Sequence, residues 1–391
     1  MLRCLSFYKN FMENQKEKKN ILIIYLIFFF SMLFSIIILN RWFVTDLGFG
    51  SYGRLWQFYV SYIDFGFIRR GLLGTLFFES GINSMFSNEY MFAFFIHHIS
   101  IFILTALIVY YFLSKKIKNF IFIFGIAFSP TLITYQGYNT GNLDLIILII
   151  ALINILYVKS YIIFSLNIAL GIFIHELFIF MLPAQFFAFY LFNKSKTFNK
   201  LELKNIFPFI IAISAVLIIL FFGNTNVSMM DFKNIMQNKI SNAYMIHPLW
   251  SGFAEINPPS IGISLEAKML KILRIFENGK VLFLLPSLVY LIILILRATK
   301  YISSNFNRFL FIVAILFPIL ASFVATDYPR WIAMSANMSL LITLKFVARD
   351  DTPLSKWNKL IAIFCLLAPF GTVAVDIPFP LHQFFIDKFI Y

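Results

Sequence analysis

Asp64, Arg69 and Arg70 stand close together in DFGFIRRGLLG, flanked by apolar and aromatic residues. A carboxylate beside two guanidinium groups can take a proton from a hydroxyl while the arginines hold a phosphate bidentately. The same segment opens at Thr45, adds Asp46 and Arg54, and carries Gly48, Gly50, Gly66, Gly71 and Gly74, which permit tight turns. The competing reading is an interfacial helix whose arginines reach for lipid headgroups and whose aspartates cap helix starts.

Three further groups have this character. In QGYNTGNLD, Asn142 and Asp144 stand at the head of an apolar run, where a helix dipole favours an acid. Capping alone explains one of them. In GIFIHELFIFMLPAQFF, His175 and Glu176 interrupt an apolar stretch. Adjacent residues cannot share a helix face, so a turn there would direct both into one cavity, where an imidazole can act as acid or as a phosphate-binding hydrogen-bond donor. The second histidine of HExxH is missing, which excludes a zinc protease. In ATDYPRWIAM, Arg330 heads a helix whose dipole opposes a cation, an arrangement that makes sense beside an anion or in a salt bridge to Asp327. Burying any of these charges costs several kcal/mol, which makes each a functional candidate.

The elements that must position them are membrane helices. The 391 residues are 60% hydrophobic and 13% charged, which fits neither a disordered chain nor an ordinary soluble domain. Cys4 and Cys365 are too few and too far apart for a disulfide framework, a zinc cluster or an iron–sulfur site. The net charge of +14 lies between apolar blocks rather than in one stripe, so it reports topology and not nucleic-acid binding.

An all-α polytopic membrane fold of about eleven spans follows, with runs at 21–39, 91–114, 119–135, 142–158, 160–174, 177–193, 206–222, 281–296, 309–325, 331–347 and 360–375. The first run is too long for a secretory signal and is followed by Arg41 and Trp42, so it reads as a retained anchor. With residues 1–20 cytoplasmic, most of the 32 basic residues fall on short inner segments, among them Lys18, Lys19, Lys115, Lys116, Lys159, Arg297, Lys300, Arg308 and Lys345. This phase requires 160–193 to be two helices broken at His175 and Glu176. Segments 40–90 and 223–280 become long outer loops with no core pattern of their own, 262–276 reads as an interfacial amphipathic helix, and 376–391 ends outside. No internal or inverted repeat is evident.

All four groups then fall on the outer side, which suits an anionic amphiphile such as a lipid-linked sugar. Arginines would hold its phosphate, aromatic rings would stack on sugars, and an Asp or His would deprotonate the acceptor hydroxyl. The leaving group is already activated, so no cofactor or metal is called for. There is no GxxxxGK[ST], and no GxGxxG following a strand.

The layout, together with DFGFIRRGLLG, GNLD, IHELF and DYPRW, resembles the O-antigen and capsule repeat-unit polymerases (Wzy type) and, more broadly, the C-type membrane glycosyltransferases (GT-C). The resemblance implies an enzyme of the bacterial inner membrane that polymerises undecaprenyl-pyrophosphate-linked glycan for lipopolysaccharide or capsule, with a chain-length regulator as a partner. It implies arginine side chains on the pyrophosphates, here Arg69, Arg70 and Arg330, with Asp327, Asn142 and Asp144 beside them. It also implies an acidic residue of the first outer loop as base, Asp46 or Asp64, with His175 and Glu176 as further catalytic candidates. No paired acidic motif follows the first span, so the choice between the two aspartates stays open. The alternatives are a single-sugar transferase using a polyprenyl-phosphate donor, a flippase or transporter, and an acyltransferase with His175 as base.

Overall fold

The computed structural model describes residues 18–36, 55–86, 89–117, 120–129, 131–136, 143–193, 203–240, 253, 285–323 and 328–347, and every regular element among them is a helix. Runs of Ile, Leu and Phe must satisfy their backbone N–H and C=O groups without water, and a helix does so within one segment. In chain order these are α1 (Lys18–Ile36), a 3-10 turn (Leu55–Tyr59), α2 (Tyr62–Phe65), α3 (Gly71–Glu79), a second 3-10 turn (Ile82–Met85) and α4 (Glu89–Ser114). There follow α5 (Phe120–Ala127), α6 (Ile133–Gln136), α7 (Asp144–Leu156), α8 (Tyr161–Ile174), α9 (Phe178–Asn193), α10 (Leu203–Phe222) and α11 (Met229–Lys239). The chain closes with α12 (Leu285–Thr299), α13 (Asn305–Leu316) with a 3-10 continuation (Phe317–Phe323), and α14 (Tyr328–Val347). Serine side chains start several of them: Ser160 accepts from Ile163 N–H, Ser228 from Asp231 N–H and Ser304 from Asn307 N–H.

Three stretches are long and apolar enough to cross a membrane: Lys18–Ile36, Met91–Ser114 and Asn305–Ser322. The remaining apolar helices are shorter, from Asp144–Leu156 to Ile206–Phe222. Outward faces are apolar as well, with Leu22, Phe29 and Phe30 exposed on α1 and Ile213, Leu217 and Phe221 exposed on α10.

Successive long helices run in opposite directions and sort the charges by end. At one end, Lys345 near the close of α14 donates to the Ile155 carbonyl of α7 and lies 4.9 Å from the Phe192 ring of α9. Tyr301, just past α12, stacks on Phe346, and Arg297 faces Phe122 at the start of α5. Tyr157 donates to Leu107 O of α4 and packs on Tyr111, which Lys115 overlies. Lys115, Lys116, Lys159, Arg297, Lys300 and Lys345 therefore share a basic end. At the opposite end Ser35 donates to Ile133 O at 2.9 Å, and the starts of α7, α9 and α14 converge.

That opposite end is capped. Residues 55–86 fold over it with Trp56, Phe58, Tyr59, Phe65 and Ile68 buried. A Cβ on Gly74 would lie 2.0 Å from Val60 O, so α3 rests directly on the first 3-10 turn only because a glycine stands there. From the other side Phe232 of α11 packs on Phe65 and Trp56, and Lys239 pairs with Asp64. The two segments therefore pack on each other, residues 55–86 supplying most of the aromatic rings and α11 adding Phe232.

Run 119–135 is also not one helix. It breaks between α5 and α6, where Ser129 Oγ meets Tyr290 Oη at 2.9 Å and Thr131 Oγ1 at 3.2 Å. Pro130 in the sequence lacks an N–H and disfavours a helical residue before it. Run 309–325 likewise tightens to 3-10 geometry at Phe317, beside Pro318. By contrast 160–193 is two helices, α8 and α9, parted at His175. Asp46, Arg54, Asn142, Asp327, the segment 262–276, the run 360–375 and the tail 376–391 lie outside the described residues.

Candidate functional site

The break between α8 and α9 places two adjacent ionisable side chains at one turn. His175 ends α8 in extended conformation, its N–H bonded to Gly171 O at 3.0 Å. A Cβ on Gly171 would meet the Phe178 ring at 2.5 Å, so this glycine lets α9 fold back tightly. Leu177 N–H donates to His175 Nδ1 at 3.2 Å, the same nitrogen lies 3.3 Å from Glu176 Oε2, and Nε2 lies 4.0 Å from Asp144 Oδ1. Burial, and next the Arg70 guanidinium, hold His175 below its ordinary pKa and so keep it neutral.

Glu176 continues the turn and meets Arg70. Arg70 Nη2 donates to Glu176 Oε1 at 2.6 Å, and Nε lies 3.2 Å from both carboxylate oxygens. Burial alone would raise the Glu176 carboxyl, but the Arg70 guanidinium opposes it, and the group is held well below the usual carboxylate range. Arg70 occupies the N-cap of α3 with φ of 63°, a left-handed conformation that a side-chain-bearing residue adopts at a cost of about 1 kcal/mol. That cost is tolerated where packing fixes the guanidinium against a required partner.

The third contact crosses the bundle. Asp144 opens α7, and Arg330 lies in the first turn of α14 with its Nη2 donating to Asp144 Oδ1 at 3.0 Å and its Nε against Oδ2. The guanidinium also lies 4.9 Å from the Trp331 ring. Both residues are buried, at 5% and 4% exposure. The anion that makes an arginine tolerable at this helix start is therefore a carboxylate of the protein from a residue 186 positions away.

A continuous run results: Arg70, Glu176, His175, Asp144, Arg330. Arg69 adjoins it. Its backbone N–H is held by Gly223 O at 3.1 Å, and its Nε is buried with no hydrogen-bond partner among the described residues. Burial lowers the Arg69 pKa, while Glu176 raises it and Arg70 lowers it, which places both charges within electrostatic reach. Three guanidinium groups thus face two carboxylates and a neutral imidazole. The starts of α3, α7, α9 and α14 add the positive ends of four helix dipoles. The site carries a cationic excess, and an anion is its complement.

Of the residues singled out in the sequence, Arg69, Arg70, Asp144, His175, Glu176 and Arg330 come together. Asp64 does not join them in any described contact. It sits in the first turn of α2, where its N–H is capped by Ser61 Oγ, and its carboxylate contacts Ser61 and Lys239. This is the capping alternative. Two polar residues escaped notice: Gln136 and Asn337, which line a narrow cavity with Asp144 and Arg330. Asn337 was findable, since it lies seven residues after Arg330 in the sequence, on the same face of a helix. Among the described residues no three His, Cys, Asp or Glu side chains converge as metal ligands do. Comparisons with protein families, with curated proteins and with solved structures return no match.

Proposed function

We propose that the chain is a multi-pass enzyme of the bacterial inner membrane, N-terminus cytoplasmic, that transfers glycan from an isoprenoid pyrophosphate at the outer face, joining repeat units of a surface polysaccharide. The observation that carries this reading is the cationic excess beside two carboxylates and an uncharged His175, all at one end of the bundle. A basic end opposite it is what the retention of Lys and Arg on the cytoplasmic side would produce.

The chemistry divides between the residues. Arg69, whose buried Nε has no hydrogen-bond partner among the described residues, takes the sugar-linked phosphate and is joined by helix-start N–H groups. His175, a neutral imidazole with one N–H, can donate to an oxygen that gains charge as the phosphate leaves. Glu176 and Asp144 are the two carboxylates within reach of an acceptor hydroxyl, and Arg70 and Arg330 orient them. The 13 residues of α7 rise only about 20 Å, against about 30 Å of hydrocarbon, so the site would be sunk beneath the outer membrane surface. Residues 55–86 and 223–240 would roof it.

The test uses purified full-length protein in nanodiscs with an undecaprenyl-pyrophosphate-linked oligosaccharide. Arg69→Ala removes charge-assisted hydrogen bonds worth about 2–3 kcal/mol, so kcat/KM should fall about 30- to 150-fold while thermal stability hardly changes. Wild-type kinetics in this variant would refute the phosphate role. Deleting the gene should leave glycan of a single repeat unit; full-length chains missing one branch sugar would instead assign the single-sugar transferase.

A further inference from the structure

The cavity beside the Asp144–Arg330 pair is not explained by phosphate binding. Its walls are Gln136, Asp144, Leu148, Met181, Arg330, Ala333, Met334 and Asn337, and it has room for about one water-sized atom. Gln136 is 1% exposed and Asn337 is 3% exposed, yet Gln136 Oε1 and Asn337 Oδ1 have no hydrogen-bond partner among the described residues. A buried carbonyl oxygen without a donor is costly, so two on one small cavity call for a ligand that supplies hydrogens. The cavity is also held in place. His97 Nε2–H of α4 donates to the Gln136 backbone carbonyl at 2.9 Å, and Asn337 lies two turns along α14 from Arg330.

A cation could serve two acceptors and a carboxylate, but the Arg330 guanidinium already occupies that wall, and a second positive charge there would be repelled. A neutral water has the right size and sign: its two hydrogens meet the two amide oxygens while its lone pairs face the guanidinium, and a hydroxyl, with one hydrogen, meets one of them. We propose that this cavity is a hydroxyl socket, which holds one O–H oxygen beside the Asp144–Arg330 pair, a water in the free protein and a sugar hydroxyl of the acceptor glycan in the loaded one. The second half rests on the glycan-transfer reading. It gives the site two compartments, an anion side at Arg69 and a hydroxyl side at Gln136 and Asn337, with His175 between them.

Two measurements decide it. A map of the full-length, substrate-free protein at a resolution that shows waters should hold density about 2.7–3.2 Å from both amide oxygens, and it should vanish in Asn337→Leu, which fills the space. An empty cavity in the wild type overturns the socket whatever the enzyme does. In the transfer assay, Asn337→Leu should raise KM for the acceptor about 10-fold or more and leave that of the donor unchanged, with Asn337→Ser, which keeps a hydroxyl and space for a water, falling between. Density lost without any change in acceptor KM would show a resident water alone and overturn the substrate half. Should no lipid-linked glycan be transferred by the wild type, the function fails while the density still decides the socket.

Discussion

The two ends of the helical bundle treat their cations differently. At the basic end Lys115, Lys116, Lys159 and Lys300 are exposed, and Lys345 contacts the Ile155 carbonyl and the Phe192 ring. At the other end Arg70 and Arg330 are buried and each is matched to a carboxylate. Solvated lysines cost little and suit a topology signal. Buried arginines paired with acids are costly to assemble, and replacing such pairs with apolar residues is often neutral or stabilising. On the proposed function, the difference separates charge that orients the chain from charge that binds substrate.

The sharpest way to break this comparison is to remove one buried cation. Arg330→Ala removes the guanidinium paired with the buried Asp144 and should destabilise the protein by about 3–5 kcal/mol, read as a drop in Tm in detergent. The double variant Asp144→Ala/Arg330→Met should recover most of that stability and none of the transfer activity. Recovery of both would make the pair structural only. A lysine-to-glutamine change at Lys159, at the exposed end, should stay within about 0.5 kcal/mol.

A smaller effect comes from titration. His175 has its pKa lowered in the folded protein, so below about pH 6.5 the unfolded chain takes up a proton that the folded one refuses, and stability falls as pH drops. Glu176 has its carboxyl held low, so its contribution is present above the unfolded pKa near 4.3 and is lost as pH falls through the folded value. Both act in the same direction in separate windows. Chemical denaturation from pH 7.5 to 5 should show the loss, and His175→Gln should reduce it over that range. A slope unaltered in the variant would assign the titration to another group.

How far these regions could be read from sequence follows the range of the interactions. Helix existence was legible because it depends on local apolar runs, and the turn at His175–Glu176 was legible because a charged pair cannot stay in an apolar stretch. The anion at Arg330 was legible as a need, from the dipole, but its identity was not. Asp144 lies far away in the chain, and nothing local distinguishes it from the nearer Asp327. The same limit hid the break at Ser129, whose hydroxyl partner is Tyr290, and the shared core of residues 55–86 and α11. Arg69 and Arg70 are neighbours of equal type, and only the fold shows that one guanidinium is committed to Glu176 while the Nε of the other has no partner.

Asp64 supplies the smallest expected effect and a direct check on which carboxylates belong to the working region. It is a half-buried acid at the capped end, yet its partners are Ser61 at its own helix start and Lys239 from α11, at some remove from the His175 run. A partly exposed ion pair of this kind contributes about 0.2–1 kcal/mol. Asp64→Asn keeps the size and a hydrogen-bonding oxygen, so it should lower stability by no more than that and reduce transfer less than twofold. Glu176→Gln, in contrast, should lower kcat far more than it lowers Tm. If Asp64→Asn instead removes most of the activity with Tm unchanged, the acid of the first outer loop is the base after all, and the pair with Lys239 is a resting contact that opens when substrate arrives.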